Sequence, residues 1–298
     1  MTTVIQTLLT ETIARASSQT PDRTPLIGVG GAQGSGKSYQ CRKYAETHPC
    51  VAHLSLDDVY FTKAERAELA RRFHPLFATR GPPGTHALGL AKQTIAALRA
   101  APLPVEGERG RGWGDVVQTP ASVGNGTPTP APPPSRGREQ VALPRFNKAA
   151  DDRAPESTWP RFRGRPGAIL FDGWCVGASA LDFDPAPINA LERDDDPDGR
   201  WRAQLNKDLA ERYQRFFDAF DAFIYLRAPS WEIVRRWRGE QEEETLGRPL
   251  TAEDETRLDR FCMHYERITR AMLNGHHRAR WIVHLDERRS VVRVEERI

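Results

Sequence analysis

Residues 31–38 carry the residue types of a phosphate-binding loop. They read Gly-Ala-Gln-Gly-Ser-Gly-Lys-Ser and match the pattern G-x-x-x-x-G-K-[ST] at every position. In such a P-loop, backbone N–H groups surround an anion at the positive end of a helix. Lys37 then reaches the β- and γ-phosphates, and the Ser38 hydroxyl binds Mg²⁺. The motif predicts ATP and Mg²⁺ as cofactors, with an ATP-binding set of Gly31, Ala32, Gln33, Gly34, Ser35, Gly36, Lys37, Ser38 and Tyr39.

Three carboxylates follow short apolar runs elsewhere in the chain. Asp57 and Asp58 come after the run 51–56, and Asp172 comes after the run 168–171. In open α/β sheets, ligands bind beside the carboxyl ends of the strands. We therefore predict that Asp57 is the general base that takes the proton of an acceptor hydroxyl. For Asp58, a role in the site and capping of the next helix are equal alternatives. Asp172 has the Walker B arrangement and is predicted to hold Mg²⁺ together with Ser38.

Rival glycine and cysteine motifs are weaker. A dinucleotide-binding G-x-G-x-x-G pattern from Gly28 needs a glycine where Gln33 stands. The guanine-specifying N-K-x-D pattern is not met, because two alanines follow the Asn-Lys pair that ends at Lys148. The segment G-W-C-V-G around Cys175 resembles the nucleophile elbow of hydrolases, whose histidine partner would be His264, His276, His277 or His284. Nothing selects among these histidines, so a small buried cysteine is the favoured interpretation.

The elements that must position these residues follow from apolar patterning. Five short apolar runs, rich in β-branched residues, predict strands over residues 25–30, 51–56, 168–171, 222–226 and 281–285. Helical patterns separate several of them, the strongest over residues 251–273 with Thr251 as its cap, and a second over about residues 202–220. The alternation predicts an α/β fold with an open, mostly parallel five-stranded sheet flanked by helices.

The chain is predicted to form an N-terminal helix within residues 1–23 and one domain over residues 24–298. Within that domain, about residues 102–138 are rich in Pro, Gly, Thr and Ser. Such a composition cannot bury enough apolar surface to offset its ordering entropy. We predict a mobile surface insertion that is polyproline-like near its end, and protein docking through it is the less favoured alternative to a passive loop.

Composition excludes several classes of protein. The 43 basic and 40 acidic residues are mixed along the 298-residue chain, so neither a nucleic-acid partner nor a membrane surface is predicted. No apolar run approaches the ~18 residues of a transmembrane helix. The four cysteines form no paired framework, which is typical of a reducing cytosol. The expected partner is a small-molecule acceptor, and the expected location is cytoplasmic.

Seven motifs, in chain order, resemble those of one family. They are the P-loop, S-L-D-D-V-Y (55–60), T-R-G-P-P-G-T-H (79–86), L-P-R-F-N-K (143–148), D-D-R (151–153), L-F-D-G-W (170–174) and F-I-Y-L-R (223–227). Together they resemble the D-glycerate 3-kinase family of plant and bacterial type, within the wider group of phosphoribulokinase, uridine kinase and pantothenate kinase. The resemblance implies a P-loop kinase fold with a five-stranded parallel core. It also implies transfer of the ATP γ-phosphate to the primary hydroxyl of glycerate, giving 3-phosphoglycerate.

The resemblance implies roles for individual residues as well. Asp57 matches the general base of the wider group, with Lys37 as the second catalytic residue. A helical lid over about residues 231–250 would bring Arg235 and Arg238 onto the transferring phosphate and exclude water. Positive side chains would bind the carboxylate of a hydroxy acid. The implied substrate-binding set is Asp57, Tyr60, Arg80, His86, Arg145, Lys148 and Arg153.

Two further hypotheses stay open at this point. A kinase of the same fold could act on a nucleoside, on pantothenate or on a sugar phosphate. A non-catalytic, ATP-binding regulatory protein would bind nucleotide without any turnover that depends on an acceptor. Two positions depart from the family pattern, Ala87 where an acidic residue is usual and Asp172 where Glu is usual.

Overall fold

The computed structural model describes residues 3–103, 140–182 and 184–297. The strands in these ranges are β1 Leu26–Gly31, β2 Val51–Ser55, β3 Gln140–Ala142, β4 Phe146–Asn147, β5 Asp152–Arg153, β6 Arg161–Arg163, β7 Ala168–Gly173, β8 Ala222–Arg227, β9 Trp281–Leu285 and β10 Val291–Glu296. The helices are α1 Val4–Gln19, α2 Lys37–Thr47, α3 Lys63–Arg72, α4 Leu88–Ala100, α5 Ala190–Asp195, α6 Arg200–Asp208, α7 Gln214–Phe217, α8 Trp231–Leu246 and α9 Ala252–Leu273. A π-helical turn, Leu209–Tyr213, joins α6 to α7. The single helix predicted over residues 202–220 is therefore divided.

The main sheet has six strands in the order β10-β9-β8-β1-β7-β2. The five strands from β9 to β2 are parallel, and β10 runs antiparallel to β9 at the edge. The predicted α/β class, with a mostly parallel sheet flanked by helices, is confirmed, and all five predicted strands are present. The sixth strand, β10, was not predicted. Its sequence is Val-Val-Arg-Val-Glu-Glu, and it is mostly exposed, as is common for edge strands with charged side chains.

The central strands bring the candidate residues to one edge of the sheet. Every residue of β1 and β7 is buried, as expected for parallel strands covered on both faces. The register places Asp172 of β7 beside Val29 of β1 on one side and Ser55 of β2 on the other. Because β1, β7 and β2 end at the same edge, the P-loop, Asp57 and Asp172 are neighbours.

Helix α1 packs onto the core instead of standing apart. Its apolar face joins the same buried cluster as the P-loop helix α2 and one face of the sheet, through Ile5, Leu8, Leu9, Ile13 and Ala16. Two polar contacts link α1 to α2, between Gln6 and Gln40 at 2.8 Å and between Thr10 and Tyr44 at 3.0 Å.

Two further predictions from the sequence concern the Pro-rich insertion and the possibility of a membrane-spanning helix. The predicted Pro-rich insertion lies almost wholly outside the described residues, since only residues 102 and 103 of it are described. Among the described residues, no helix combines the length and the apolar character that crossing a membrane requires.

Candidate active site

The P-loop forms one wall of a cavity of about 340 Å³. It leads from the end of β1 to the start of α2, and left-handed backbone at Gly34 and Gly36 turns the chain there. Its cavity-lining members are Gln33, Gly34, Lys37 and Ser38. Ala32 and Ser35 are buried beneath the loop, whereas Tyr39 is 56% exposed on α2 and does not line this cavity.

Asp57 faces the same cavity from the end of β2. It lies in a 3₁₀ turn, Leu56–Val59, that begins where β2 ends. One carboxylate oxygen accepts a hydrogen bond from the Tyr60 hydroxyl at 2.7 Å, and the other accepts one from the Lys148 ammonium at 2.8 Å. Burial raises the pKa of Asp57, but the positive charges of Lys148 and Lys37 outweigh it. The pKa therefore lies well below its usual value, and the carboxylate is ionised at neutral pH.

The neighbouring Asp58 holds a different segment. Its carboxylate accepts hydrogen bonds from the backbone N–H of Phe146 at 3.2 Å and from the Arg145 guanidinium at 3.1 Å. Burial raises the pKa of Asp58 more than Arg145 lowers it. The cap of α3 is Thr62, which forms a capping box with Glu65. Neither alternative offered for Asp58 matches these contacts, because it neither caps α3 nor lines the cavity.

Asp172 lies at the base of the P-loop with its side chain wholly buried. Neither carboxylate oxygen has a hydrogen-bond partner among the described residues. Burial raises the pKa of Asp172, but His53, Lys37 and Ser38 outweigh burial and lower it below the usual value. A buried, ionised carboxylate beside a serine hydroxyl offers the oxygen ligands that Mg²⁺ prefers. Ser38 and Asp172 therefore fit the magnesium site predicted for them.

Only some of the five basic side chains predicted to bind the substrate line the cavity. Arg80 and Lys148 line the cavity. Arg145 is paired with Asp58, and Arg153 donates to the Tyr60 carbonyl at 2.9 Å, so neither lines it.

His86 is also placed away from the cavity. It is fully buried, and its ring packs against that of Tyr60 in a tilted arrangement with the ring centroids 4.8 Å apart. Burial lowers the pKa of His86 to about 3, so the ring is neutral at neutral pH and supplies no positive charge to a carboxylate. Its hydrogen-bond partner is the hydroxyl of Tyr213.

The segment predicted to form a lid contains helix α8, and residues of this helix line the cavity. Arg238 lines the cavity, where it pairs with Glu242 at 2.6 Å. Arg235 instead pairs with Glu255 and Asp259 and ties α8 to α9. Sequence reasoning missed the remaining lining residues, which lie on these two helices: Gln241, Glu244, Thr245, Phe261 and Tyr265. They carry no motif, and only their position on helix faces beside the P-loop brings them into the site.

This chain is similar in sequence to known kinases, although no protein-family model matches it. It is 27% identical over 263 residues to an uncharacterized kinase of Schizosaccharomyces pombe, covering 82% of this chain and 80% of that protein. It is 28% identical over 232 residues to the chloroplastic D-glycerate 3-kinase of Arabidopsis thaliana, covering 74% of this chain and 42% of the plant protein. In sequence, this chain resembles a D-glycerate 3-kinase. The resemblance that the motifs predicted is confirmed.

A solved structure has the same fold as this chain. D-glycerate 3-kinase from Cryptococcus neoformans superposes with a TM-score of 0.66 at 19% identity, covering 99% of both chains. At that identity the likeness concerns the fold alone, which is the predicted P-loop kinase fold. The fold and the relatives together support a nucleotide-binding kinase, a phosphotransferase with a small-molecule substrate.

The nucleophile-elbow alternative fits poorly with this kinase fold. Cys175 is fully buried, and burial raises the pKa of its thiol far above the usual range. A thiol that keeps its proton is a poor nucleophile, and the P-loop would have no use in a hydrolase of this kind. Cys175 is a core residue, as the favoured interpretation had it.

A clamp from the β9–β10 turn holds the P-loop of this kinase, and the sequence carried no signal for it. Arg289, which has a positive φ of 66°, donates to the Gly34 carbonyl at 2.7 Å and to Glu240 of α8 at 2.6 Å. Its guanidinium lies 4.9 Å from the ring centroid of Trp237 on α8. Trp237 in turn donates its indole N–H to the Glu287 carbonyl at 2.8 Å. Arg289 therefore links the P-loop to helix α8.

We expect Arg289→Ala to raise the KM for ATP by about tenfold, because a charge-assisted hydrogen bond contributes about 1.5–3 kcal/mol. The kcat is expected to change less, since Arg289 does not line the cavity. Steady-state kinetics at saturating acceptor measures both. Arg288→Ala is the matched control, because it removes the same charge from the same turn at an exposed position. Equal effects in the two variants would contradict the clamp.

Proposed function

We propose that this protein is an ATP- and Mg²⁺-dependent kinase that phosphorylates D-glycerate to 3-phosphoglycerate. One observation carries the proposal. The carboxylate of Asp57 shares a cavity with Lys37 and Ser38 of the P-loop and with two basic side chains, Arg80 and Lys148. A general base, a phosphate site and a carboxylate site are the three parts that this reaction needs.

The phosphate end of the site follows from the P-loop. Its backbone N–H groups and the start of α2 attract the phosphates, and Lys37 adds a positive charge inside the cavity. Ser38 and Asp172 would hold Mg²⁺. When bound, Mg²⁺ supplies positive charge that neutralises the phosphate oxygens. Arg238 on α8 lines the same cavity and would offset the negative charge that develops on the transferred phosphoryl group.

The acceptor end centres on Asp57. Because the carboxylate is ionised at neutral pH, it can accept the proton that the acceptor hydroxyl loses. The Tyr60 hydroxyl fixes the orientation of that carboxylate. Lys148 is 63% exposed and pairs with Asp57, so its flexible stem can turn to the carboxylate of an acceptor.

The count of positive charges favours an acceptor with one negative charge. Among the residues that the structure describes, four basic side chains line the cavity: Lys37, Arg80, Lys148 and Arg238. Lys37 and Arg238 are assigned to the nucleotide phosphates, which leaves Arg80 and Lys148. Arg80 is already paired with Asp151, so little positive charge remains for a phosphorylated sugar. One carboxylate matches this balance, and the relatives named as D-glycerate 3-kinases support glycerate.

The test is ADP release by the purified full chain with Mg-ATP and single acceptors. We expect D-glycerate to stimulate turnover, with 3-phosphoglycerate as the product, whereas uridine, pantothenate and ribulose 5-phosphate do not. Stimulation by one of those three instead would replace glycerate and keep the kinase. Tight ATP binding without stimulation by any acceptor would contradict the kinase and favour a regulatory protein.

The cytoplasmic location stays a prediction.

We expect Lys148→Ala to raise the KM for D-glycerate by at least about tenfold, since it removes a charged hydrogen-bond donor to the carboxylate. The pH profile should also shift in a defined direction. Lys148 lowers the pKa of Asp57, so removing it raises that pKa, and kcat/KM should begin to fall at a higher pH on acidification. Lys92→Ala, at an exposed position on α4, is the control. If kcat/KM falls at the same pH in Lys148→Ala as in the wild type, the pairing of Lys148 with Asp57 is contradicted.

A further inference from the structure

A second cluster of ligand-type side chains lies behind the P-loop, and the kinase chemistry does not use all of it. Cys41 comes from α2, His53 from β2 and Asp172 from β7. One ligand atom from each lies within 4.8 Å of the other two. Cys41 and Asp172 are fully buried, and the His53 side chain is 13% exposed. The consecutive elements α2 and β2 therefore meet the distant strand β7 at one point.

The polar atoms of this cluster are not satisfied by hydrogen bonds. The Nε2 atom of His53 lies 3.6 Å from Oδ2 of Asp172, which is longer than the roughly 2.7–3.2 Å of an N–H···O bond. Neither Nε2 of His53 nor either oxygen of Asp172 has a hydrogen-bond partner within the described ranges. Leaving buried polar atoms unpaired costs about 1–3 kcal/mol each. Mg²⁺ held by Ser38 and Asp172 would still leave Nε2 of His53 without a partner among the described residues, so the arrangement calls for a further occupant.

The spacing suits ligands around a common metal ion. Two nitrogen or oxygen ligands about 2.0–2.1 Å from a tetrahedral centre are about 3.3 Å apart, and a thiolate at about 2.3 Å lies somewhat farther from them. The separation of His53 and Asp172 is near this value. Thiolate, imidazole and carboxylate together form a ligand set typical of Zn²⁺ and unlike the all-oxygen set of Mg²⁺. Three protein ligands leave a fourth position open.

We propose that Cys41, His53 and Asp172 form a binding site for a thiophilic divalent cation of the Zn²⁺ class. Cys41 binds as the thiolate, and its proton is released to solvent. Since Asp172 is also the carboxylate assigned to Mg²⁺, an ion held by Cys41 and His53 withdraws it from that role. Occupancy of the thiophilic site therefore inhibits phosphoryl transfer. The inhibition rests on the proposed function, whereas the binding does not.

Binding is tested with Co²⁺, which reports a thiolate ligand by its charge-transfer absorption. We expect one equivalent of Co²⁺ added to the metal-free full chain to produce that band, and one equivalent of Zn²⁺ to abolish it. Cys41→Ser should remove the band, and His53→Gln should weaken Co²⁺ binding by at least about tenfold. Cys50→Ser is the matched control, because it removes a buried thiol just before β2, and the band should persist. A wild-type chain without the band, or a band that survives Cys41→Ser, overturns the proposal.

Inhibition is tested separately by ADP formation at a fixed excess of Mg²⁺. We expect Zn²⁺ to inhibit the wild type and the Cys50→Ser variant, with at least about tenfold more Zn²⁺ needed for Cys41→Ser. Each variant is compared with its own rate at the same Mg²⁺ concentration without Zn²⁺. Equal sensitivity of Cys41→Ser and the wild type would refute inhibition through this site. If the chain proves not to be a glycerate kinase, the Co²⁺ band still decides whether the cation binds.

Discussion

Replacing Asp57 by Asn is expected to lower kcat by about 10²- to 10⁴-fold, the usual contribution of a positioned general base. The amide has nearly the shape of the carboxylate but cannot take the proton of the acceptor hydroxyl. Its side chain can still accept one hydrogen bond from Tyr60, so the turn after β2 should keep its structure. Nucleotide binding, which depends on the P-loop, should change little. Single-turnover transfer from Mg-ATP to D-glycerate measures the loss directly.

Asp58→Asn is the matched control for this prediction. It makes the same isosteric change one residue away, at a carboxylate that contacts Arg145 and the Phe146 backbone and does not line the cavity. A partly exposed ion pair contributes roughly 0–1 kcal/mol, so its loss should lower kcat by less than about tenfold. If the two variants lose activity equally, or if Asp57→Asn keeps a normal kcat, Asp57 is not the base.

Gly34→Ala is expected to destabilise the contact between the P-loop and helix α8 by about 2–5 kcal/mol. Gly34 has a φ of +78°, where an L-residue costs about 1–2 kcal/mol. A Cβ at this position would also lie 2.4 Å from Cβ of Trp237 and 3.2 Å from its backbone carbon, and overpacking adds about 1–3 kcal/mol. Since backbone atoms of α8 cannot turn aside, either the loop or the lid must move. ATP binding should be lost with that movement.

Gly36→Ala separates the cost of a left-handed backbone from the cost of the contact with Trp237. Its φ is +82°, so the backbone cost is similar, but nothing lies within 4 Å of the added Cβ. It should destabilise the nucleotide-free chain by only about 1–2 kcal/mol. Denaturant unfolding without nucleotide, followed by tryptophan fluorescence, compares the two variants, and calorimetry with ATP follows binding for Gly34→Ala. Equal losses of unfolding free energy would mean that the contact with Trp237 carries no cost.

Local patterns were sufficient wherever the determining interactions are local. The P-loop is a contiguous run whose glycines and lysine act together within one turn, and it lies between β1 and α2 as its motif requires. The five parallel strands could be predicted because burial on both faces demands apolar side chains at nearly every position. Asp57 and Asp172 follow from the same logic, since each comes at the end of a strand.

Only the tertiary structure sorted the basic residues. Arg80, Arg145 and Lys148 have the same charge, and nothing in their neighbourhoods in sequence distinguishes a substrate ligand from an ion-pair partner. Arg145 is taken by Asp58, whereas Lys148 meets Asp57 inside the cavity, although 91 residues separate that pair in the chain. His86 lost its charge through burial, which is a property of packing and not of sequence.

The sequence by itself determined the fold class, the phosphate site and the position of the carboxylates, because hydrogen bonding and apolar periodicity act over a few residues. The tertiary structure decided which basic side chains line the cavity, how Arg289 clamps the P-loop across 255 residues, and that Cys41 and His53 meet at Asp172. These pairings depend on distances between elements packed from distant parts of the chain. Charge interactions and metal coordination depend on such distances, and the order of residues in one chain does not specify them.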